Sequence, residues 1–322
     1  MEKVKVWLRT TPYKDFALHI ASADASFRKY YRITHQNESY IVMDSSLEKE
    51  SMRPFLDVTQ KLLACGVHAP QILLSHLEGG YLILEDLGNI LLLSVLNSTN
   101  FEGFYTKAIE TIIKMQTIPS GTLAPYDKAY LHFEMDLMQE WYVQKLLQTT
   151  LTQKQKELIN TTLASISKEV LSQPQDIFVH RDFHSRNIML LEDDALGIID
   201  YQDAMSGALT YDLVSLLKDC YITFGREETL KLALLFRDKK ALDVDDATFI
   251  KWFDFTGLQR HIKVLGIFSR LYLRDAKDGY LKDIPLTLSY TLQTAKLYDE
   301  TRSFGDLLEA LTQSKAELTS FV

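Results

Sequence analysis

The stretch Phe178–Asp203, FVHRDFHSRNIMLLEDDALGIIDYQD, constrains the fold of this chain more than any other part of it. His180-Arg181-Asp182 is followed, five residues after the aspartate, by Asn187. An aspartate at a loop tip can accept the proton of an attacking hydroxyl. An asparagine one loop later can turn its carbonyl oxygen toward a hard cation, which prefers oxygen ligands. The apolar runs Ile188–Leu191 and Leu196–Ile199, separated by Glu192-Asp193-Asp194, predict a β-hairpin. That hairpin ends on Asp200, returning a second carboxylate to the place the loop left. The expected outcome is one base, Asp182, and two metal ligands, Asn187 and Asp200, on rigid supports. Taken singly, these residues have plain readings as a chance tripeptide and ordinary caps. Taken together they do not.

The H-R-D-x-x-x-x-N spacing is that of a phosphoryl-transfer catalytic loop. The segment resembles the catalytic core of the aminoglycoside phosphotransferase/choline kinase-like superfamily, a small-molecule branch of the protein-kinase fold. Flanking blocks sharpen the resemblance: Ala23–Arg28 (ADASFR), Tyr40–Asp44 (YIVMD), Ile199–Ala204 (IDYQDA), Tyr211–Leu217 (YDLVSLL) and Gln259–Arg270 (QRHIKVLGIFSR). These are similar to the bacterial anomeric kinases of N-acetylmuramate and N-acetylglucosamine, a group within that superfamily that serves cell-wall sugar recycling. The match runs from about Ala21 to Pro285.

The resemblance implies an α+β, bilobal protein-kinase-like fold. A small antiparallel-sheet lobe, residues 1–87, would bind nucleotide. A large, mainly helical lobe, residues 88–322, would carry catalysis and the acceptor. ATP and Mg²⁺ are the implied cofactors, and a small amino sugar is the implied partner. Ser26, Phe27 and Arg28 would lie over the phosphates, and backbone at Glu85 and Leu87 would hold the adenine. Two departures from the superfamily pattern stand out. The loop Ser22–Phe27 has no glycine, and Met43 occupies the strand position where a phosphate-binding lysine usually sits. Arg28 and Lys29 are the nearest replacement cations.

Composition excludes several other classes. A net charge of −8 leaves no basic surplus for general nucleic-acid binding. The longest apolar runs, such as Ile90–Leu93, fall far short of the ~20 residues that span a membrane. Met1–Lys5 has no apolar core of a secretory signal. With 46% hydrophobic residues and two isolated cysteines, Cys65 and Cys220, a reduced cytoplasmic protein is expected, with no protein partner inferable.

Hairpins are expected at Phe27–Ile33 with Ser39–Met43, and at Gln71–Ser75 with Tyr81–Glu85. Glu48–Cys65 reads as a helix closed by Gly66, and Asn100 as the cap of a helix running to Gln116. Further helices are expected at Leu131–Gln148, Thr152–Leu171, Tyr211–Phe224, 226–238, 246–275 and 284–316. Asp212 would cap the helix it opens or brace the catalytic loop, and Arg181 reads as structural.

For the acceptor, helix 258–275 carries Arg260, Lys263, Arg270 and Arg274 within roughly an 80° stripe. Such a stripe suits an anionic acceptor, whereas an aminoglycoside or choline site should be acidic or aromatic. The plain alternative is a solvated surface helix. Arg260, Lys263 and Asp203 are the acceptor-site candidates, with Asp203 able either to accept from sugar hydroxyls or to support the metal loop. Two other functions stay open at this point. One is phosphorylation of a cationic small molecule. The other, suggested by Met43 and the glycine-free loop, is a non-catalytic nucleotide-binding module.

Overall fold

Period-two alternation organises the N-terminal part into strands. The computed structural model describes residues 1–22 and 28–314, in two compact units: Met1–Val95 with Arg186–Ala204, and Leu96–Ser185 with Met205–Val322.

The first unit is built on a five-stranded antiparallel sheet. Its spatial order is Ala17–Ser22, Lys29–His35, Glu38–Asp44, Tyr81–Glu85, Ile72–His76. Tyr31, Ile33, Val42, Tyr81 and Ile83 point to one face and pack with Val4 and Leu8 of the short helix Glu2–Leu8. The register Tyr40↔Glu85, Ile41↔Leu84, Met43↔Leu82 places the strand's last turn-outs, Glu85 and Asp86, beside the sheet's central strand. Met43 is fully buried. The position that a phosphate-binding lysine usually takes is thus filled by a buried apolar side chain.

The helix Met52–Ala64 follows, with Met52, Phe55, Val58 and Leu62 buried at helical spacing. It ends where Gly66 takes φ = 74°, a left-handed conformation that glycine adopts without steric cost. The hairpin Ile188–Leu190 with Leu196–Ile198 joins this unit: Ile198 N–H donates to the His68 carbonyl and Leu190 N–H to the Ile90 carbonyl. Tyr201, just after the hairpin, hydrogen-bonds Thr59 Oγ1 at 2.8 Å and stacks on Phe55.

The second unit is helical, apart from the two-stranded pairing of Ile177–Val179 with Met205–Gly207. Its axis is the helix Asp246–Asp275, which at 1.5 Å per residue is about 45 Å long. Phe253 through Gly266 are buried all round, so the solvated-face reading of this helix fails. Gly266 lies against the Leu137–Met138 backbone; a Cβ built there would stand 2.4 Å from the Leu137 carbonyl carbon. A complete capping box, Thr152 with Gln155, starts Gln153–Val170.

Four helix expectations are corrected. The helix opening at Tyr211 ends at Leu217, not Phe224, because Asp219 turns the chain by accepting from Tyr221 N–H and Ser185. The C-terminal helix is two, Ile284–Leu297 and Asp299–Gln313. Tyr298 between them is extended, and its hydroxyl donates to the buried Asp254 carboxylate at 2.9 Å. The helix expected from Leu131 begins at Lys128, capped by Asp127, and passes into a π-helix over Met138–Leu146. Asn100 precedes Phe101–Met115, but its side chain accepts from Asn97 N–H and does not cap that helix.

Candidate active site

The first unit contains a cavity walled by Ile41, Leu84, Leu91, Met189 and Ile199, with the Glu85–Asn89 segment along one edge. A largely apolar slot is the right surface for a flat heteroaromatic ring. The edge is held rigid by side chains. Asp86 accepts from Arg32 Nε at 2.6 Å, from Ser39 and from Gly88 N–H. Burial alone would raise the Asp86 pKa, but these donors outweigh it and hold the carboxyl below its usual range. Arg32 also reaches Asn89 Oδ1 at 2.6 Å. Glu85 spends its side chain on His68 and Gln71 N–H, leaving main chain to face the cavity.

Asn187 and Asp200 line the same cavity, Asn187 Nδ2 lying 3.3 Å from Asp200 Oδ2. Asp200 sits at φ = 65°, a conformation that costs energy and that the flanking Ile199 and buried Tyr201 impose. Gln202 Nε2 donates to Asp200 at 2.9 Å and to Asp203 at 3.2 Å. Gln202 therefore joins the metal-ligand candidate to the acceptor candidate, a link no motif signals. The donor set fits Mg²⁺: one carboxylate and one amide, whose oxygen turns inward by rotation of the side chain, are hard ligands. Mg²⁺ typically takes one or two such protein ligands and completes its shell with water and phosphate oxygens. Among the described residues no group of three or more His, Cys, Asp or Glu forms an all-protein metal site.

Of the other nucleotide candidates, Leu87 lines the cavity. Arg28 is 6% exposed, with Nε donating toward Ser51 Oγ at 3.4 Å, and is not part of the cavity wall. Ser26 and Phe27 lie outside the described residues.

Asp182 belongs to the second unit, at the tip of a loop pinned from beneath. Asp212 accepts from His180 N–H at 2.8 Å and from Arg181 N–H at 2.9 Å, so it braces the loop. Ser215 Oγ donates to the Arg181 carbonyl, and Asp219 takes Ser185 N–H at 3.0 Å. Arg181 is held at φ = 77° by these contacts. Its guanidinium reaches Glu134 at 2.5 Å and lies over the Tyr126 and Tyr130 rings, a structural post.

Arg260 Nη2 lies 3.7 Å from Asp182 Oδ1, and its Nη1 donates to Cys220 Sγ at 3.4 Å. Lys263 bonds Tyr211 Oη at 3.1 Å and Glu134 at 3.3 Å. Both cations are almost fully buried and are engaged by protein atoms. Burial pushes the Asp182 pKa upward, but Lys263, His184, Arg260 and Arg181 more than reverse it, holding the carboxylate ionised far below its usual range. His184 is driven down to about 4 by burial and so is neutral near pH 7. Burial raises Asp212 to about 6 against the opposing pull of His180 and the two N–H bonds. Glu134 and Asp219, which hold this cluster together, carry no sequence signal; each is an ordinary acidic residue on or after a helix.

The chain is similar to several known proteins. A sequence profile of the phosphotransferase enzyme family matches residues 18–241. A protein of Neisseria meningitidis serogroup B named N-acetylmuramate/N-acetylglucosamine kinase is 38% identical, over 99% of this chain and 98% of its own. A Pseudomonas aeruginosa protein of the same name is 37% identical over 91% and 88%. The ADP-bound crystal structure of aminoglycoside phosphotransferase APH(2'')-Ib superposes with a TM-score of 0.61 at 16% identity, covering 91% of this chain and 98% of that one. The fold is thus α+β and protein-kinase-like, and the chain is a phosphotransferase rather than a nucleotide-binding module without activity. With the profile covering most of its length and relatives above 30% identity, this chain belongs to the phosphotransferase enzyme family, alongside the bacterial proteins named N-acetylmuramate/N-acetylglucosamine kinase.

Proposed function

We propose that this phosphotransferase moves the γ-phosphoryl group of ATP to the anomeric hydroxyl of N-acetylmuramate and N-acetylglucosamine. The observation that carries the reading is the setting of Asp182. Its carboxylate is held among Arg260, Lys263 and Arg181. Arg260 and Lys263 beside the base suit an uncharged or anionic acceptor better than an aminoglycoside or choline, with Arg181 and Lys263 also paired to Glu134. The names of the 38% and 37% identical relatives support the same acceptor class.

In this reading residues 1–87 form the nucleotide lobe and residues 88–322 the catalytic and acceptor lobe. The apolar cavity takes the adenine against main chain at Glu85 and Leu87, with Arg28 serving the phosphate side only indirectly through its helix contact. Mg²⁺, held by Asn187 and Asp200, neutralises the charge of the transferring phosphoryl group and its leaving oxygen. Asp182 accepts a hydrogen bond from the acceptor hydroxyl and orients its lone pair in line with the γ-phosphorus. The new bond forms from the hydroxyl oxygen to phosphorus as the bond to the ADP oxygen breaks, and Asp182 takes the hydroxyl proton. Because Asp182 is a weak base, proton transfer comes late and positioning carries most of the catalysis. Asp203, tied to Asp200 through Gln202, meets the sugar hydroxyls. In this reading the enzyme works in the cytoplasm, where its co-substrate ATP is held.

The test is a kinase assay with ATP and Mg²⁺ against both amino sugars, their methyl glycosides, choline and kanamycin. Both free sugars should react and the methyl glycosides, blocked at the anomeric oxygen, should be inert. A phosphorylated methyl glycoside would remove the anomeric assignment, and turnover confined to choline or kanamycin would remove the sugar.

A further inference from the structure

Four cations stripe one face of the helix Asp246–Asp275, and the structure separates them by what they touch. Arg260 is committed to Asp182 and Cys220, and Lys263 to Glu134 and Tyr211. Arg274 is exposed and forms a two-point pair with Asp275 at 2.8 Å. Arg270 differs from all three. Its side chain is half-buried, its Nε is fully enclosed without a hydrogen-bond partner, and it forms no ion pair among the described residues.

A half-buried guanidinium without an anion is unfavourable, because burial removes water that no partner replaces. Burial, then the nearby Arg274, accordingly pull the Arg270 pKa down, against Asp275, Glu140 and Glu134. Glu134 lies within electrostatic reach but is occupied by Arg181, Lys263 and Tyr126. Glu140 is paired with Lys145 at 2.6 Å. Among the described residues, the carboxylates that act on Arg270 are each engaged by another partner.

Position matches this vacancy to the acceptor. Seven residues separate Lys263 from Arg270, which puts them on one face of the helix about 10 Å apart along its axis. Glu134, which pairs with Lys263, is within electrostatic reach of Arg270, so Arg270 stands on the side of Lys263 and the Asp182 cluster. A carboxylate reader must stand off from the base by the width of a sugar ring, since the reacting oxygen is on C1 and the lactyl ether on C3 of N-acetylmuramate. Arg260 and Lys263 stand at the base itself.

We propose that Arg270 binds the lactyl carboxylate of N-acetylmuramate and sets the preference between the two sugars. This rests on the amino-sugar reading above. N-acetylglucosamine, which lacks the carboxylate, leaves Arg270 unmatched.

The experiment measures kcat/KM of wild type, Arg270→Gln and Arg270→Lys on N-acetylmuramate, its carboxamide and N-acetylglucosamine, at saturating ATP and Mg²⁺. Arg270→Gln should lose about tenfold or more on N-acetylmuramate, the size of a charge-assisted hydrogen bond, and stay within about threefold on N-acetylglucosamine. Arg270→Lys should fall between, because a lysine keeps the charge but not the two-point geometry. Wild type should handle the carboxamide as Arg270→Gln handles the acid. Equal losses on both sugars would make Arg270 a structural residue and overturn the proposal, as would an unchanged preference. Wild type inactive on both sugars would instead overturn the acceptor class itself.

Discussion

Arg260 stands 3.7 Å from the Asp182 carboxylate while sharing its guanidinium with Cys220 Sγ. If Asp182 is the base, as proposed, a buried cation beside it acts through the base, and removing it leaves a different kind of defect from removing a substrate contact. Arg260→Ala should therefore depress kcat on N-acetylmuramate and N-acetylglucosamine together. A loss confined to N-acetylmuramate would return Arg260 to the acceptor pocket.

Asp182→Asn should fold as wild type and lose about 10²–10⁴ in kcat, the usual worth of a positioned general base. Circular dichroism and thermal melting check the fold, and steady-state turnover checks the role. Turnover within a few-fold of wild type on a sugar that reacts would sink the assignment.

Asp200→Ala should abolish Mg²⁺-dependent nucleotide binding, followed by titration calorimetry with and without the metal. Asp203→Ala should mainly raise the acceptor KM, since Gln202 bridges Asp203 to Asp200. Equal loss of metal dependence in both variants would mean that the two carboxylates share the ion.

Asp212 makes activity and stability respond to acid with opposite signs. Its folded pKa of about 6 lies above the ordinary carboxylate value, so its contribution to stability is full below the unfolded pKa and is lost as pH rises through 6. Acidifying from pH 7 to 4.5 should stabilise wild type relative to Asp212→Asn by about 1–3 kcal/mol. Over the same range kcat should fall, because the protonated carboxyl loses its grip on the His180 and Arg181 N–H groups. Denaturant melts of both proteins at the two pH values read the first effect, and a pH–rate profile reads the second. A relative stability that falls on acidification would contradict the buried, pKa-raised assignment.

Gly266→Ala should cost about 1–3 kcal/mol, since its methyl would press on the Leu137 and Met138 backbone, which cannot rotate away as a side chain would. A denaturant midpoint unchanged within error would show that the two helices separate freely.

Local order was legible because it is encoded locally. Alternation predicted the hairpins, including Ile188–Leu190 with Leu196–Ile198, to within a residue or two. Gly66 stands just past the end of the helix it was expected to close, and the helix expected from Thr152 starts there, at a capping box. Turn chemistry and short spacings involve neighbours in the chain, and neighbours are what a sequence displays.

Tertiary structure decided what the charged residues do. Helical periodicity shows that Arg260, Lys263, Arg270 and Arg274 share a face, but not whether that face meets water or a carboxylate from another helix. Glu134 and Asp219 meet Lys263 and Ser185 only after the helices pack. The same packing ends the helix after Leu217 and breaks another at Tyr298, whose hydroxyl is required by Asp254. The chain's own order of residues thus determines the loop from His180 to Asn187, while burial, which depends on the whole fold, determines which cations meet carboxylates of the protein and which does not.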